Sequence, residues 1–301
     1  MPEGIGDGKI SGMPPSEIQR ALAAAMSTAS ALGLAADDAI VLHDSNKVTV
    51  RLLPYDVVAR VAPIAHQVAR FEIGLAQRLA ESQSPVAVPD PRAEPRVYER
   101  DGFAVTLWTY YQPATSGEVS PADYANALER LHSGMRKLDL RTPHFTDRVA
   151  EAQHLVETTH LTPDLAGADR KLLITTLSSR RQAIVERGAA EQLLHGEPHP
   201  GNMLRTNSGL VFIDFETCCR GPVEFDLAHV PEDVSERYAD ADHDLLSQCR
   251  VLVLAMVAAW RWDLDDQFPD RQRAARDLLS ALREGPPWPP LDVVMRQPGA
   301  P

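Results

Sequence analysis

The sequence has few of the features that mark disulfide-bonded, nucleic-acid-binding or zinc-binding proteins. Cysteine occurs three times in 301 residues, and the adjacent pair Cys218 and Cys219 matches no zinc pattern and no disulfide framework. Basic residues are outnumbered, and the formal net charge of −12 argues against nucleic acid or an anionic membrane as the main partner. A reducing, cytoplasmic setting is therefore expected.

Long apolar runs and leader-like segments are also missing. The run 251–260 is too short to span a bilayer. Residues 1–15 are rich in glycine and proline and acidic, whereas a signal peptide is basic and then apolar. We expect no membrane partner, and the chain is long enough to bury a sizeable core in one large domain or two smaller ones.

One stretch in the second half of the chain combines loop residues with polar groups. Residues 194–204 read LHGEPHPGNML, which has too much glycine and proline for a helix interior and predicts a loop. Residues 210–216 read LVFIDFE, a short apolar run that ends in carboxylates. The turn sequence TNSG lies between them, so residues 203–205 and 210–215 should pair as a hairpin. The hairpin is expected to bring Glu197, Asn202 and Asp214 to one side of the loop.

This grouping suits phosphoryl transfer. The reaction needs a carboxylate that orients or deprotonates a hydroxyl, and hard oxygen ligands for the Mg²⁺ that bridges nucleotide phosphates. In protein kinases a metal-binding Asn follows the catalytic-loop carboxylate by five residues, and a metal-binding Asp follows a short hairpin. The spacing predicts Glu197 as the carboxylate that faces the acceptor hydroxyl, with Asn202 and Asp214 as metal ligands.

The motifs HGEPHPGN (195–202), IDFE (213–216) and RGPVEFDLA (220–228) resemble the aminoglycoside phosphotransferase and choline kinase-like family of small-molecule kinases. Weaker similarity runs from about residue 46 to 262. The family usually has Asp at the position of Glu197, and the extra methylene moves the carboxylate unless the loop adjusts. The resemblance implies that His195 holds the loop by hydrogen bonds, that His199 lies near phosphates or metal, and that Asp226 braces the loop.

The resemblance also implies an α+β, two-lobed protein kinase-like fold. Residues 1–111 would form an N-lobe with a small antiparallel sheet and a helix. Residues 112–301 would form a mainly helical C-lobe, with 286–301 as a loose tail. ATP and Mg²⁺ would lie in the cleft, and GTP stays open as the alternative nucleotide.

Nucleotide-binding candidates follow from the same comparison. Short β-branched runs at 39–42, 48–53 and 57–61 predict strands, and helical spacing follows from Ile64 to Leu79. Arg60 and Glu72 correspond to the strand-3 Lys and helix-C Glu of kinases, although a structural ion pair would give the same pattern. Two further pairs are assigned by position, each with a plain structural alternative. Ser45 and Asn46 form a turn that lacks GxGxxG, where phosphates would lie, and Trp108 and Tyr110 end a strand, where adenine would lie.

Acceptor-binding candidates are acidic. Glu216 either adds a carboxylate near the metals or fixes its own loop. The acidic region 224–244, including Glu232 and Asp233, would suit a cationic acceptor or be a solvated acidic surface. His195 and His199 have a zinc-like spacing, but two helical ligands need a helix, which the intervening glycine and prolines prevent.

The sequence therefore predicts an ATP-dependent O-phosphotransferase that acts on a hydroxyl of an aminoglycoside-like or other small acceptor. Two alternatives stay open: a kinase for a sugar or choline-like amino alcohol, and a degenerate kinase that binds nucleotide without catalysis. Asn202 and Asp214 favour an enzyme, whereas Glu197 and the missing glycine-rich loop leave room for the degenerate protein.

Overall fold

The computed structural model describes residues 13–45, 47–65, 67–114 and 118–296. The chain divides into two units. The first comprises Met1–Gly117 and Leu204–Glu216, and the second comprises Glu118–Met203 and Thr217–Pro301. The first unit thus contains a hairpin from the second half of the chain, in addition to the N-terminal segment. The predicted N-lobe, residues 1–111, does not contain this hairpin.

A five-stranded antiparallel sheet in the order β1-β2-β3-β5-β4 forms the centre of the first unit. Its strands are β1 (Asp38–Asp44), β2 (Val48–Leu53), β3 (Val57–Pro63), β4 (Tyr98–Arg100) and β5 (Phe103–Thr109). Alternate residues of β2 and β3 are buried, as expected when one face of a strand packs against a helix. That helix is α1 (Pro15–Ala31), whose buried face is mostly alanine, so its backbone approaches the sheet closely.

The opposite face of the sheet carries α2 (Val68–Glu81), which begins later than the predicted start near Ile64. Ile73 and Ala76 of α2 pack with Trp108 and with Val211 of the hairpin. This hairpin consists of β7 (Met203–Thr206) and β8 (Gly209–Phe212), as the turn sequence predicts. The hairpin is attached to the first unit through Phe212, whose backbone pairs with the segment 85–87.

The second unit is mainly helical. Its larger helices are α3 (Pro121–Met135), α4 (Phe145–Glu157), α5 (Gly167–Arg187), α8 (His243–Arg261) and α9 (Arg271–Glu284). α8 is buried along most of its length and forms the centre of the core. α5 ends at Arg187 because Gly188 takes the left-handed conformation, with φ +62°.

Short elements complete the second unit. Strands β6 (Glu191–Leu194) and β9 (Cys219–Pro222) pair antiparallel, with α6 (Val223–Leu227) and α7 (Glu232–Ser235) after them. Leu291–Met295 forms α10 within the segment expected to be a loose tail. The fold prediction is confirmed: a small antiparallel sheet in one unit and a largely helical second unit. No helix among the described residues is long and apolar enough to cross a bilayer.

Candidate functional site

The first unit contains a cluster of charged side chains around Lys47. The Lys47 Nζ lies 2.9 Å from Asp214 Oδ1 and 3.7 Å from Glu72 Oε2, and it also forms a short ion pair with Glu216. Arg60 donates to Glu72 Oε1 at 2.9 Å and to Asp214 Oδ1 at 3.3 Å. The predicted Arg60–Glu72 pair is therefore present, and Lys47 is a member of the cluster that sequence reasoning missed.

Mutual neutralisation makes this cluster compatible with burial. Only 6% of Lys47 and 4% of Glu72 are exposed, and an unpaired charge at that depth would be costly. Burial alone would lower the pKa of Arg60, but the carboxylates of Glu72, Asp214 and Glu216 raise it above its ordinary value. The guanidinium of Arg60 therefore stays charged, whereas burial raises the pKa of Glu72 above its ordinary value against the opposing charges of Arg60 and Lys47.

The three carboxylates also form a set of donors that suits a divalent cation. One oxygen each from Glu72, Asp214 and Glu216 lies within 4.8 Å of the others. Hard cations such as Mg²⁺ prefer carboxylate oxygens at such sites. The residues present therefore fit a magnesium ion.

Asp214 lies just beyond β8 in a left-handed backbone conformation, with φ +67°, which residues other than glycine rarely adopt. The next residue, Phe215, is buried and donates its backbone N–H to Glu72 Oε1 at 3.1 Å. Glu72 thus holds both Arg60 and the backbone beside Asp214. Strained backbone at a predicted metal ligand is consistent with a functional role for that residue.

The second unit carries the glycine- and proline-rich loop after β6. Asp226 is fully buried and accepts hydrogen bonds from the backbone N–H groups of His195 at 2.9 Å and Gly196 at 2.8 Å. Its Oδ2 also lies 2.9 Å from His132 Nε2. Burial alone would raise the pKa of Asp226, but His132 and the backbone donors hold it below its ordinary value. Asp226 therefore holds the start of the loop as a carboxylate.

Close backbone packing fixes the same loop. Gly196 has φ +93°, and a Cβ there would lie 2.0 Å from the carbonyl oxygen of Thr217, so only glycine fits. The Tyr124 hydroxyl donates a short hydrogen bond to the Pro198 carbonyl. These contacts leave the loop little freedom to shift.

A single 3₁₀ turn, Pro200–Asn202, follows in the loop. The His199 Nδ1 accepts from the Gly201 N–H at 3.0 Å and begins the turn. The Asn202 Nδ2 donates to the Glu197 carbonyl at 3.0 Å, so the amide oxygen is the side-chain atom left to serve as a metal ligand.

Glu197 is paired with a buried arginine that sequence reasoning also missed. The Arg148 Nη2 lies 2.5 Å from Glu197 Oε1, and its Nη1 donates to the Gly196 carbonyl at 3.3 Å. Burial alone would raise the pKa of Glu197, but the charge and hydrogen bond of Arg148 hold it below its ordinary value. The longer side chain of Glu, in place of the usual Asp, is thus anchored by a specific partner.

The positions of four other predicted nucleotide-binding residues do not by themselves indicate a role at a nucleotide. Ser45 is buried, and its N–H donates to the Lys47 carbonyl at 3.1 Å, while Asn46 lies outside the described residues. The Trp108 side chain belongs to the core and donates to the Thr106 hydroxyl at 2.8 Å. The guanidinium carbon of Arg51 lies 4.0 Å from the centre of the Tyr110 ring. Their roles at a nucleotide stay predictions.

Two of the three predicted acceptor residues, Glu232 and Asp233, lie in the second unit, and Glu232 pairs there through its carboxylate. Glu232 accepts from Arg250 at 2.9 Å. The backbone carbonyl of Asp233 accepts a short hydrogen bond from Arg237. Part of the acidic run is therefore neutralised locally, and its role at an acceptor stays a prediction.

The fold and the two sets of side chains define a class. A five-stranded sheet with a buried Arg–Glu pair, a metal-type carboxylate cluster after a hairpin and an Asp-braced loop are the parts of a protein kinase-like phosphotransferase. The chain belongs to the phosphotransferase enzyme family, whose model matches residues 42–250. It is therefore a phosphotransferase that acts on a hydroxyl acceptor, and the family resemblance read from the motifs is confirmed.

Solved structures support the fold at low sequence identity. An amicoumacin kinase in complex with AMP-PNP, Ca²⁺ and Ami shares 13% identity at TM-score 0.66, covering 92% of this chain and 98% of its own. A choline/ethanolamine kinase family protein from Mesorhizobium loti shares 16% at TM-score 0.65, covering 94% and 99%. The aminoglycoside phosphotransferase APH(3'')-Id from Streptomyces rimosus shares 17% at TM-score 0.58, covering 81% and 99%. None of the curated proteins matches the sequence significantly.

Proposed function

We propose that this enzyme transfers the γ-phosphoryl group of ATP to a hydroxyl of a small molecule in the presence of Mg²⁺. The observation that carries the proposal is the buried cluster of Lys47, Arg60 and three carboxylates in the first unit. Support comes from the similar amicoumacin kinase, whose structure holds AMP-PNP and Ca²⁺. A similar phosphotransferase, APH(2")-IIia, holds GDP and kanamycin, so GTP is the alternative nucleotide to test.

The metal would be held by Asp214 and Glu216, and the spacing from Glu197 assigns Asn202 as a further ligand. When bound, Mg²⁺ neutralises phosphate charge and fixes the phosphate oxygens. Arg60 is held by Glu72, and its planar guanidinium suits a phosphate. Lys47 is the second cation of the cluster, and its ammonium can exchange a carboxylate partner for a phosphate oxygen.

The acceptor hydroxyl would meet Glu197. Since Arg148 keeps its pKa low, Glu197 is ionised at neutral pH and is a weak base. In a loose phosphoryl transfer little proton abstraction is needed before the transition state, so a carboxylate that orients the hydroxyl is sufficient. Arg148 is then a positioning residue, because it acts through Glu197.

The test is Mg²⁺-dependent nucleotide consumption with a panel of hydroxylated acceptors. Acceptor-stimulated turnover should fall at least a hundredfold in Asp214→Ala and stay unchanged in Asp277→Ala, which removes an exposed carboxylate of α9. Glu197→Asp tests the side-chain length: because the shorter side chain retreats from Arg148, we expect a loss of kcat. Equal turnover in Asp214→Ala and in the parent would reject the proposal.

One observation favours the degenerate alternative. Lys47 already supplies a cation to the three carboxylates, and Glu197 already has a partner in Arg148, as expected if neither group acted on substrates. A protein of that kind would bind nucleotide and consume none with any acceptor. Nucleotide binding measured beside turnover therefore separates the two functions.

A further inference from the structure

The second unit contains a cavity of about 290 Å³ beside the loop that carries Glu197. Most of its wall is apolar. Val257 and Trp260 line it from α8, Leu291 and Met295 line it from α10, and Phe268 lies between α8 and α9. A cavity of about 150 Å³ accommodates a benzene ring, so this one has room for one or two rings.

The charged side chains that line this cavity are already neutralised. Each of the three has an opposite charge beside it among the described residues: Glu197 with Arg148 at 2.5 Å, Arg261 with Asp266 at 2.6 Å, and Asp292 with Arg296 at 3.2 Å. A cationic ligand is attracted most strongly by a carboxylate that is not already paired with a cation. Its binding also costs free energy, because the cation loses its hydration. The cavity therefore offers little to a polycation.

Two polar atoms at the wall lack a hydrogen-bond partner within the part of the chain that the structure describes. They are the Nε2 of His229 and the Oδ1 of Asp292, and His229 is only 3% exposed. Burial lowers the pKa of His229 to about 4, so its imidazole is neutral at pH 7. A buried polar atom without a partner is costly, and a ligand with a hydroxyl group would satisfy it.

We propose that this cavity binds the acceptor and that the acceptor is an uncharged alcohol with an apolar, ring-sized body. This inference rests on the proposed phosphotransferase function for the identity of the reacting group. The hydroxyl that becomes phosphorylated lies at Glu197, the ring lies against Trp260, and a second polar group of the acceptor hydrogen-bonds His229. The acidic residues Glu232 and Asp233 do not line this cavity.

Binding is tested first, on the full chain without nucleotide, by ligand-observed NMR titration. The probes are matched pairs. Phenyl β-D-glucopyranoside is compared with methyl β-D-glucopyranoside, and 2-phenylethanol with 2-phenylglycinol, which adds one amino group; kanamycin represents polycations. The ring-bearing glucoside should bind at least tenfold more tightly than the methyl glucoside, and the uncharged alcohol more tightly than its amino analogue.

Variants of α10 locate the binding. Met295→Trp fills the cavity and should weaken binding of the ring-bearing probes at least tenfold. Val293→Trp adds the same ring two residues away, at a side chain that is 50% exposed and outside the cavity, and should leave binding unchanged. His229→Phe keeps the ring and removes the polar atoms, and should weaken binding about 3- to 10-fold.

These measurements separate a failure of the cavity assignment from a failure of the proposed transferase function. The inference would be overturned if the uncharged ring-bearing probes did not bind, or if they bound equally well to Met295→Trp. It would also be overturned if they bound more weakly than kanamycin, or if 2-phenylethanol bound more weakly than 2-phenylglycinol. If the ring-bearing alcohols bind as expected but receive no phosphate with nucleotide and Mg²⁺, the chemistry assigned to the cavity is supported and the proposed transferase function fails.

Discussion

Lys47 is a cation that belongs to the chain and lies among three carboxylates that suit a metal. Its position gives the residue two opposite effects on ligand binding. It lowers the attraction of the cluster for Mg²⁺ when nucleotide is absent, and it adds positive charge for phosphates when nucleotide is present. Affinity for metal alone and affinity for nucleotide should therefore respond in opposite directions to its removal.

Lys47→Met should tighten binding of Mn²⁺, a spectroscopic substitute for Mg²⁺, by about tenfold in the absence of nucleotide, because one competing charge is removed. The same variant should weaken nucleotide binding. Electron paramagnetic resonance measures free Mn²⁺, and Lys137→Met, which changes an exposed lysine, is the control. Weaker Mn²⁺ binding in Lys47→Met would contradict the assignment of the carboxylates to a metal.

Arg148 is a buried cation whose loss leaves Glu197 without its partner. Breaking a buried ion pair from one side costs about 3 kcal/mol, and Arg148→Met should lower the free energy of unfolding in urea by about that amount. The pKa of Glu197 should rise, because Arg148 is the main group that opposes the effect of burial. Restored stability in the double variant Arg148→Met, Glu197→Gln would show that the ion pair is the cause, and a double variant as unstable as the single one would show that it is not.

His229 predicts a pH dependence of stability. Its pKa is about 4 when folded and about 6.5 when unfolded, so between these values the unfolded chain binds the extra proton. The free energy of unfolding is therefore highest above pH 6.5, where His229 is neutral in both states. It falls by up to about 3 kcal/mol as the pH is lowered towards 4. Thermal unfolding from pH 7 to 4 should be less pH-dependent in His229→Phe, and parallel curves would refute the assignment.

At the scale of elements, the loop after β6 depends on one glycine. Gly196→Ala adds both left-handed strain and a collision with the Thr217 carbonyl. Gly188→Ala adds similar strain at φ +62° with nothing within 4 Å, so it is a matched control.

We expect Gly188→Ala to cost about 1 kcal/mol of unfolding free energy. Gly196→Ala should cost more than twice as much, since the backbone around residue 217 must move. Chemical denaturation measures both. Equal losses would mean that the loop absorbs the extra atom without shifting.

The sequence predicts those elements and motif residues whose structure depends on residues close by in the chain. The hairpin and its turn follow from residues next to one another, and α2 follows from its helical periodicity. Lys47, Arg148 and His229 were missed because their importance depends on partners far along the chain. The only local signal was a charged side chain beside an apolar stripe, as at Arg148 in α4.

For the whole molecule, nucleotide should stabilise the fold by mass action. At a concentration of AMP-PNP a hundredfold above its dissociation constant, about 2.7 kcal/mol is added to the free energy of unfolding. The Mg²⁺-dependent part should disappear in Asp214→Ala and persist in Glu197→Gln, because Glu197 faces the acceptor. Differential scanning fluorimetry measures both, and loss of the shift in Glu197→Gln would contradict the division of roles.

The chain passes between its two units three times, at residues 117, 203 and 216. Neither unit is therefore one continuous stretch of sequence, and no single cut of the gene can release either of them whole. A fragment that ends at Gly117 would keep Lys47, Arg60 and Glu72 but lose Asp214 and Glu216, which leaves two buried cations facing one carboxylate. Such a fragment would be short of counter-charge at its centre, so point substitution is a better way than truncation to separate the roles of the two units.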